Sequence, residues 1–232
     1  MPTPSAAADR TRPVVLVHGL WHQPGHFDEV ARRLRHAGVE VSVPELHRGS
    51  LAADTAAVQQ LVDTMSRPPI VLGHSYGGSV ITGLTAIVHL VYVAAFVPTE
   101  HESAAALGGP HLIDTIVRRR ADGRTELDPV GAMSTLYGDC TPGDAARAVA
   151  LLRPQAPGHG RGIPERAAWH IVPSTYVVCT DDHAIDPAIQ QRLATRCATI
   201  LSWATSHSPF CSRPELVVEL LTDLVRRQPT TI

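Results

Sequence analysis

The sequence predicts a doubly wound α/β protein with a mostly parallel sheet, and three observations support this fold class. Short apolar runs of strand length alternate along the chain with longer segments in which apolar residues recur at helical spacing. The short runs are apolar throughout, which is typical of strands that are buried on both faces of a parallel sheet. The links between them are short, as expected for helices that cross over directly from strand to strand.

The predicted elements alternate up to residue 96 and resume at residue 175. The expected strands lie at 14–17, 39–43, 69–73, 90–96, 175–179 and 199–203. The expected helices are one built on the repeat of Phe27, Val30, Ala31 and Leu34, then 53–65, 78–87, one opened by Asp186 and Pro187, and one opened by Ser212. This order predicts a sheet with helices on both faces.

The segment from about 98 to 173 carries helical patterns but no convincing buried strand. We interpret it as a helical cap inserted over the sheet, in which one helix begins at Thr141 and Pro142. A chain of 232 residues is long enough to bury one large core. We therefore expect a single domain, with its core formed by residues 13–97 and 174–228 and its cap by residues 98–173.

Composition excludes several classes of function. The formal net charge is −2 and the basic cluster Arg118, Arg119 and Arg120 is short, so no nucleic-acid partner is expected. Every basic residue is arginine, which excludes chemistry that needs a lysine amine. The four cysteines form no CxxC pair and no segment is apolar over the length of a membrane span. We expect a cytoplasmic protein, monomeric or homodimeric, with no membrane partner.

The segment GHSYGG at 73–78 follows an expected strand and opens the next helix. Gly73 and Gly77 flank Ser75 in the GxSxG pattern of a nucleophile elbow. A turn sharp enough to lift the serine hydroxyl above the sheet is crowded, and only small residues fit beside it. Ser75 is therefore the predicted nucleophile, and an idle serine in a glycine-rich turn is the alternative.

A serine nucleophile needs a base, and the base needs a carboxylate that fixes its tautomer. Asp181 and Asp182 follow the expected strand at 175–179, at the edge of the sheet where functional loops gather. His207 follows the strand at 199–203 and is the predicted base, with His183 as a less favoured alternative. The pattern of residues by itself does not separate Asp181 from Asp182.

Acyl transfer also requires N–H donors for the negative oxygen of its intermediate. We expect these donors to be the backbone amides of Tyr76, directly after the predicted nucleophile, and of Leu20, in the loop after the first strand. His18, His22 and His26 are four residues apart, but proline and glycine interrupt any helix that would align them, so no metal site is expected. The sequence contains no nucleotide or phosphate motif that would indicate a cofactor.

Four segments in order, HGLW, GHSYGG, CTDDHAIDPAIQ and TSHSPF, resemble the α/β-hydrolase superfamily over essentially the whole chain. The sequence is most similar to the branch that contains plant methyl esterases and hydroxynitrile lyases, together with bacterial esterase-like relatives. The resemblance implies the α/β-hydrolase fold with a helical cap after the sixth strand, and a substrate buried between sheet and cap. It also implies catalytic roles for Ser75, Asp182 and His207, and oxyanion roles for the amides of Leu20 and Tyr76.

The same resemblance favours hydrolysis over cyanohydrin cleavage. The pattern of the lyase members has Thr after the histidine of the first motif and Lys after the catalytic histidine. At the corresponding positions, this chain has Gly19 and Ser208. We expect a cofactor-independent serine hydrolase that cleaves a small to medium carboxylic ester or lactone. The alternatives are a ligand-binding or biosynthetic accessory protein with little turnover, and a lyase or perhydrolase with the same triad. The expected residues of an apolar substrate pocket are Trp21, Phe96, Met133, Leu136, Tyr137 and Trp169.

Overall fold

The computed structural model describes residues 11–108 and 113–227, and within them a six-stranded sheet and a two-stranded hairpin. The strands are β1 Val14–Val17, β2 Val41–Ser42, β3 Ile70–His74, β4 His89–Val93, β5 Val117–Arg119, β6 Thr125–Leu127, β7 Ser174–Cys179 and β8 Thr199–Trp203. The main sheet has the order β2-β1-β3-β4-β7-β8, and its neighbouring strands are parallel. The predicted parallel α/β sheet is confirmed.

Ten α-helices lie within the described ranges, and two of them begin where sequence patterns predicted. The helices are α1 Asp28–His36, α2 Leu51–Asp63, α3 Tyr76–Thr82, α4 Ala104–Gly108, α5 Ile113–Ile116, α6 Pro129–Leu136, α7 Pro142–Ala150, α8 Pro187–Ala194, α9 Pro209–Ser212 and α10 Pro214–Arg227. Thr141 and Asp186 accept hydrogen bonds from first-turn amides of α7 and α8, at 3.2 and 2.7 Å. Among the described residues, we find no helix whose length and hydropathy would suit a membrane span.

The main sheet is buried on both faces because consecutive strand residues point to opposite sides. In β1, Val14 and Leu16 belong to the cluster packed with α1 and α10, whereas Val15 and Val17 belong to the cluster packed with α2 and α3. This two-sided burial is the physical reason why the strands are apolar throughout. A third cluster lies in the cap and reaches Ala184, just beyond β7.

Four predicted elements end earlier in the structure than in the sequence pattern. The strand predicted over 39–43 ends at Ser42 and the helix predicted over 53–65 ends at Asp63, and the differences are larger in α3 and β4. The helix predicted over 78–87 is α3, which ends at Thr82 with Gly83 as its C-cap. The strand predicted over 90–96 is β4, which ends at Val93 because Ala94 has a φ of 44° and leaves the extended conformation. The apolar residues that follow the ends of α3 and β4 are buried, although they belong to neither element.

The last helix is α10, which begins at Pro214 and not at Ser212 as predicted. Ser212 instead ends the short helix α9, and proline is well suited to the first position of the helix that follows. Expected positions at 109–112 in the cap and at 228 in the core lie outside the described residues.

The segment predicted to be the cap, residues 98–173, follows β4 along the chain. Counted along the described residues, β4 is the fourth strand and not the sixth, because only β1, β2 and β3 precede it. The cap also contains the antiparallel hairpin of β5 and β6, which was not predicted. Its strand residues Arg118 and Arg119 are exposed, so this hairpin lacks the apolar run by which a buried strand is recognised.

Candidate active site

Ser75 lies between β3 and α3 in a backbone conformation that residues other than glycine rarely adopt, with φ 53° and ψ −121°. A Cβ on Gly73 would lie 2.6 Å from the carbonyl oxygen of Gly77. A Cβ on Gly77 would lie 2.4 Å from the carbonyl oxygen of Val17 in β1. The close approach of these backbones explains both glycines and holds the strained serine at the carboxyl edge of the sheet.

His207 and Asp182 form a buried hydrogen-bonded pair at the same edge. Nδ1 of His207 lies 2.7 Å from Oδ2 of Asp182, and the two side chains are 2% and 0% exposed. The carboxylate also accepts hydrogen bonds from the amides of Ala184 and Ile185 and from Nε2 of Gln190, at 2.6, 3.0 and 2.7 Å. With the Nδ1 hydrogen directed at the carboxylate, Nε2 of a neutral His207 ring is a proton acceptor.

The structure distinguishes Asp182 from its neighbours Asp181 and His183, a choice that the sequence pattern left open. Asp181 is exposed, and its backbone amide bonds to the carbonyl oxygen of Thr205. Asp182 points inward onto His207, and His183 is exposed. Asp182 is therefore the aspartate of this pair that contacts His207.

A cavity of about 160 Å³ brings Ser75 and His207 together with Leu20 and Tyr76. Of the six expected pocket residues, Trp21, Phe96 and Leu136 line this cavity. Sequence reasoning missed the remaining lining residues, which come mostly from the cap and from the turn after β7: His22, Ala104, Ala105, Ile113, Asp114, Gly160, Ala184 and Ile185. The wall is largely apolar, as expected.

Met133, Tyr137 and Trp169 do not line the cavity, contrary to the prediction. Met133 is 39% exposed on α6, whereas Tyr137 is buried and its hydroxyl contacts His22, which lines the cavity. Trp169 donates a hydrogen bond from Nε1 to the carbonyl oxygen of Pro98, 2.9 Å away. The helical pattern of the cap identified these large side chains but did not determine which of them face the cavity.

The loop after β1 lies directly against Ser75. A Cβ on Gly19 would be 2.9 Å from Cβ of Ser75, so glycine permits this contact. Leu20 follows in the loop, and Tyr76 is the first residue of α3, where backbone N–H groups lack intrahelical acceptors. The structure thus places both predicted donor residues in the wall beside the serine.

His74 contacts His207 and was not predicted as a site residue. Its Nε2 donates a hydrogen bond to the carbonyl oxygen of His207 at 3.0 Å, and the two ring centroids are 4.5 Å apart. Burial, followed by the nearby charge of His207, lowers the pKa of His74 well below its ordinary value. His74 therefore stays neutral, and the position directly before Ser75 was the signal that could have found it.

The described residues contain no group of three or more His, Cys, Asp or Glu side chains that could hold a metal ion. His18 contacts the backbone of Gly19 and Leu46, and His26 contacts the carbonyl oxygen of Ala148. Burial lowers the pKa of His18 to about 3. The histidine spacing noted in the sequence thus reflects packing of neutral rings.

The sequence model of the alpha/beta hydrolase family matches residues 14–220, and the chain belongs to this family. The chain is 28% identical over 235 residues to alpha/beta hydrolase nvfD of Aspergillus novofumigatus, covering 90% of this chain and 94% of that protein. It is 36% identical over 110 residues to the carbendazim hydrolyzing esterase of a Nocardioides species, covering 40% of this chain and 46% of that protein.

Among solved structures, the methylesterase MES16 from Arabidopsis is similar, with a TM-score of 0.79 and 18% identity. The similarity covers 94% of this chain and 100% of that chain. The expected α/β-hydrolase superfamily is confirmed, and the chain is an esterase-like hydrolase. The similarity to MES16 shows that the two chains share a fold.

Proposed function

We propose that this protein is a serine hydrolase that cleaves a small to medium carboxylic ester or lactone through an acyl-enzyme, without a cofactor. One observation carries the proposal. The strained Ser75 and the buried His207–Asp182 pair meet at the same apolar cavity. A nucleophile, a base and a carboxylate that orients the base are the three groups that acyl transfer by serine requires.

In the proposed reaction, Oγ of Ser75 attacks the carbonyl carbon while Nε2 of His207 takes its proton. The amides of Leu20 and Tyr76 donate hydrogen bonds to the oxygen that becomes negative. His207 then gives the proton to the leaving alcohol, and the acyl group remains on Ser75. Water attacks this ester in the second half with His207 again as base, the bond to Oγ of Ser75 breaks, and His207 returns the proton to Oγ as the acid product leaves. Asp182 stabilises the imidazolium in both halves.

The volume of the cavity favours a substrate with one small apolar group. A cavity of about 150 Å³ in another protein accommodates benzene, so the cavity here, of about 160 Å³, suits one ring or a short alkyl chain. The similarity to an esterase named for carbendazim and to a plant methylesterase agrees with small ester substrates.

We also propose a reducing cytoplasmic location and a monomeric or homodimeric state, without nucleic-acid or membrane partners. Cys140, Cys179, Cys197 and Cys211 are free thiols, which supports a reducing compartment. The net charge of −2 supports the absence of a nucleic-acid partner.

Hydrolysis of p-nitrophenyl acetate and butyrate tests the proposed reaction. Ser75→Ala should lower kcat by at least about a thousandfold, because triad members act as a unit. A fluorophosphonate should label Ser75 in the wild-type protein, as read by mass spectrometry of the peptides. Ser79→Ala is the matched control, since Ser79 is a buried serine on α3, the helix that begins directly after Ser75, and this variant should keep both labelling and turnover.

Two results would overturn the proposal. One is hydrolysis that survives Ser75→Ala. The other is tight binding of an ester by a wild-type protein that neither turns it over nor reacts with the fluorophosphonate, which would indicate an accessory binding protein instead. Product analysis with cyanohydrins, or with acetate and peroxide, separates lyase and perhydrolase activity from hydrolysis.

A further inference from the structure

The loop that carries Leu20 is joined to the cap by side-chain and backbone hydrogen bonds. We call residues 19–26 the oxyanion loop, since it contains the donor proposed at Leu20. Five hydrogen bonds join it to the described residues of the cap. They are Trp21 Nε1 to Thr125 Oγ1 at 3.2 Å, Arg153 N to Trp21 O at 2.9 Å, Tyr137 Oη to His22 Nε2 at 3.1 Å, Gln23 Nε2 to Leu151 O at 2.7 Å, and His26 Nε2 to Ala148 O at 3.0 Å. The partners come from β6, α7 and the segments that follow α6 and α7.

Trp21 shows why these contacts matter for the backbone. It has a φ of 59°, which is strained for a large side chain and persists only where the surroundings hold it. The cap holds it at both ends, because the indole donates to Thr125 and the carbonyl oxygen accepts from Arg153. Since Trp21 directly follows Leu20, its conformation determines the path of the backbone next to the proposed donor.

A second contact reaches Leu20 through His22. Nδ1 of His22 lies 3.0 Å from the carbonyl oxygen of Leu20, which can only accept, so Nδ1 carries the hydrogen. Burial lowers the pKa of His22 well below its ordinary value, so the ring is neutral and its Nε2 accepts from the hydroxyl of Tyr137. The hydroxyl of a cap tyrosine thereby fixes the tautomer and orientation of the ring that holds Leu20.

We propose that the cap sets the geometry of the oxyanion hole, with Tyr137 and Thr125 as positioning residues that hold Leu20 and Trp21 in place. The inference rests on the proposed function of the Leu20 amide. Neither positioning residue touches the substrate in this account, because neither lines the cavity. Their effect is on the alignment of the Leu20 N–H with the negative oxygen, which develops only in the transition state.

The variant Tyr137→Phe tests this inference because it removes only the hydroxyl. With p-nitrophenyl butyrate, kcat should fall by about tenfold, less than the loss of a whole oxyanion donor, while KM changes by less than about twofold. Inhibition by 1-butaneboronic acid, which forms a tetrahedral adduct on serine, should weaken by a similar factor. Tyr92→Phe is the matched control, since Tyr92 is also buried and its hydroxyl bonds to Thr82, away from the oxyanion loop.

Thr125 provides an independent test on the other contact. Thr125→Val removes the acceptor of the Trp21 indole and should lower kcat in the same way, whereas Thr125→Ser keeps the hydroxyl and should restore it. Circular dichroism and melting temperature report the folded fraction of each variant, so that kcat refers to folded protein.

The outcomes separate this inference from the proposed function. If the wild-type protein shows no turnover that depends on Ser75, the proposed function fails. If the wild-type protein is active but Tyr137→Phe and Thr125→Val behave like Tyr92→Phe, the role of the cap is overturned and the function stands. The same holds if the losses of activity match the losses of folded protein, because the two residues would then act on stability alone.

Discussion

The hydroxyl of Tyr76, the residue directly after Ser75, donates a hydrogen bond to Oδ2 of Asp54 at 2.8 Å. Asp54 lies on α2, is 0% exposed and also accepts from the backbone amide of Arg48 at 2.7 Å. Nε2 of His159, from the cap, is 3.7 Å from the same carboxylate oxygen. Burial, with Asp54 beside it, raises the pKa of Tyr76, so the hydroxyl remains a donor. The side chain of Tyr76 thus anchors the residue after Ser75 to α2.

Removal of this carboxylate should destabilise the fold. Asp54→Ala leaves the amide of Arg48 and the buried hydroxyl of Tyr76 without their acceptor, at a cost of about 2–4 kcal/mol in the free energy of unfolding. Urea denaturation measures this change. Asp63→Ala, on the exposed end of the same helix, should cost less than about 1 kcal/mol, and equal losses in the two variants would contradict the prediction.

The two neighbouring aspartates should differ sharply in their effect on catalysis. Asp182→Asn removes the carboxylate that orients His207 and should lower kcat by about ten-thousandfold with the fold retained. Asp181→Asn alters an exposed side chain and should leave kcat within about twofold of wild type. Steady-state hydrolysis of p-nitrophenyl butyrate distinguishes them, and similar losses in both variants would remove Asp182 from the proposed triad.

Stability should fall as the pH is lowered below about 6.5. Burial lowers the pKa of His18 to about 3 and lowers those of His22 and His74 well below the ordinary value of 6.5. Between those values the unfolded chain binds protons that the folded chain does not, so the free energy of unfolding decreases as pH falls, and above about pH 6.5 the loss disappears. Each such histidine contributes about 1.4 kcal/mol per pH unit within this window.

Urea denaturation at pH 7.5 and at pH 5.5 measures this dependence, and we expect a difference of about 2 kcal/mol or more. His18→Gln should reduce the difference. His36→Gln, a change to an exposed histidine, should leave it unaltered. An unfolding free energy that stays constant over this range would contradict burial of these rings in the neutral form.

Gly77 should tolerate no side chain. A Cβ at this position would lie 2.4 Å from the carbonyl oxygen of Val17, which belongs to a central strand and cannot move cheaply. Gly77→Ala should lower the melting temperature by more than about 5 °C or prevent folding. Gly143→Ala is the matched control, because its nearest neighbour would be Nη1 of Arg147 at 3.6 Å and alanine favours the helix. A Gly77→Ala protein as stable as wild type would show that the elbow is less crowded than the structure indicates.

The sequence was sufficient to predict the parts of the fold that depend on residues close to one another along the chain. Runs buried on two faces identified the central strands, and the glycines around Ser75 identified the elbow, because close backbone contact leaves a residue-type signature. The position of His207 after the last strand led to a residue that the structure does place at the cavity. Its catalytic role, and the division into a core at 13–97 and 174–228 with a cap at 98–173, stay predictions.

What the sequence could not show depends on contacts between distant segments. Tyr137 and His22 are 115 residues apart, and no local pattern indicates that one donates to the other. The choice between Asp181 and Asp182 likewise depends on which side chain turns inward after β7. The cap hairpin left a signal that could have been used, since Asp122 and Gly123 form the dipeptide typical of a tight turn and Gly123 has a φ of 81°.

Three of the five hydrogen bonds between the oxyanion loop and the cap end on main-chain atoms, at Ala148, Leu151 and Arg153. Exchanging the side chains at these positions would keep the bonding groups themselves in place. The lining residues Leu136 and Ala184 take part in none of the five bonds, so we expect that a library for new ester selectivity can randomise them without breaking the contacts between the oxyanion loop and the cap. We expect that laboratory evolution can therefore vary the acyl group accepted separately from the proposed stabilisation of the negative oxygen.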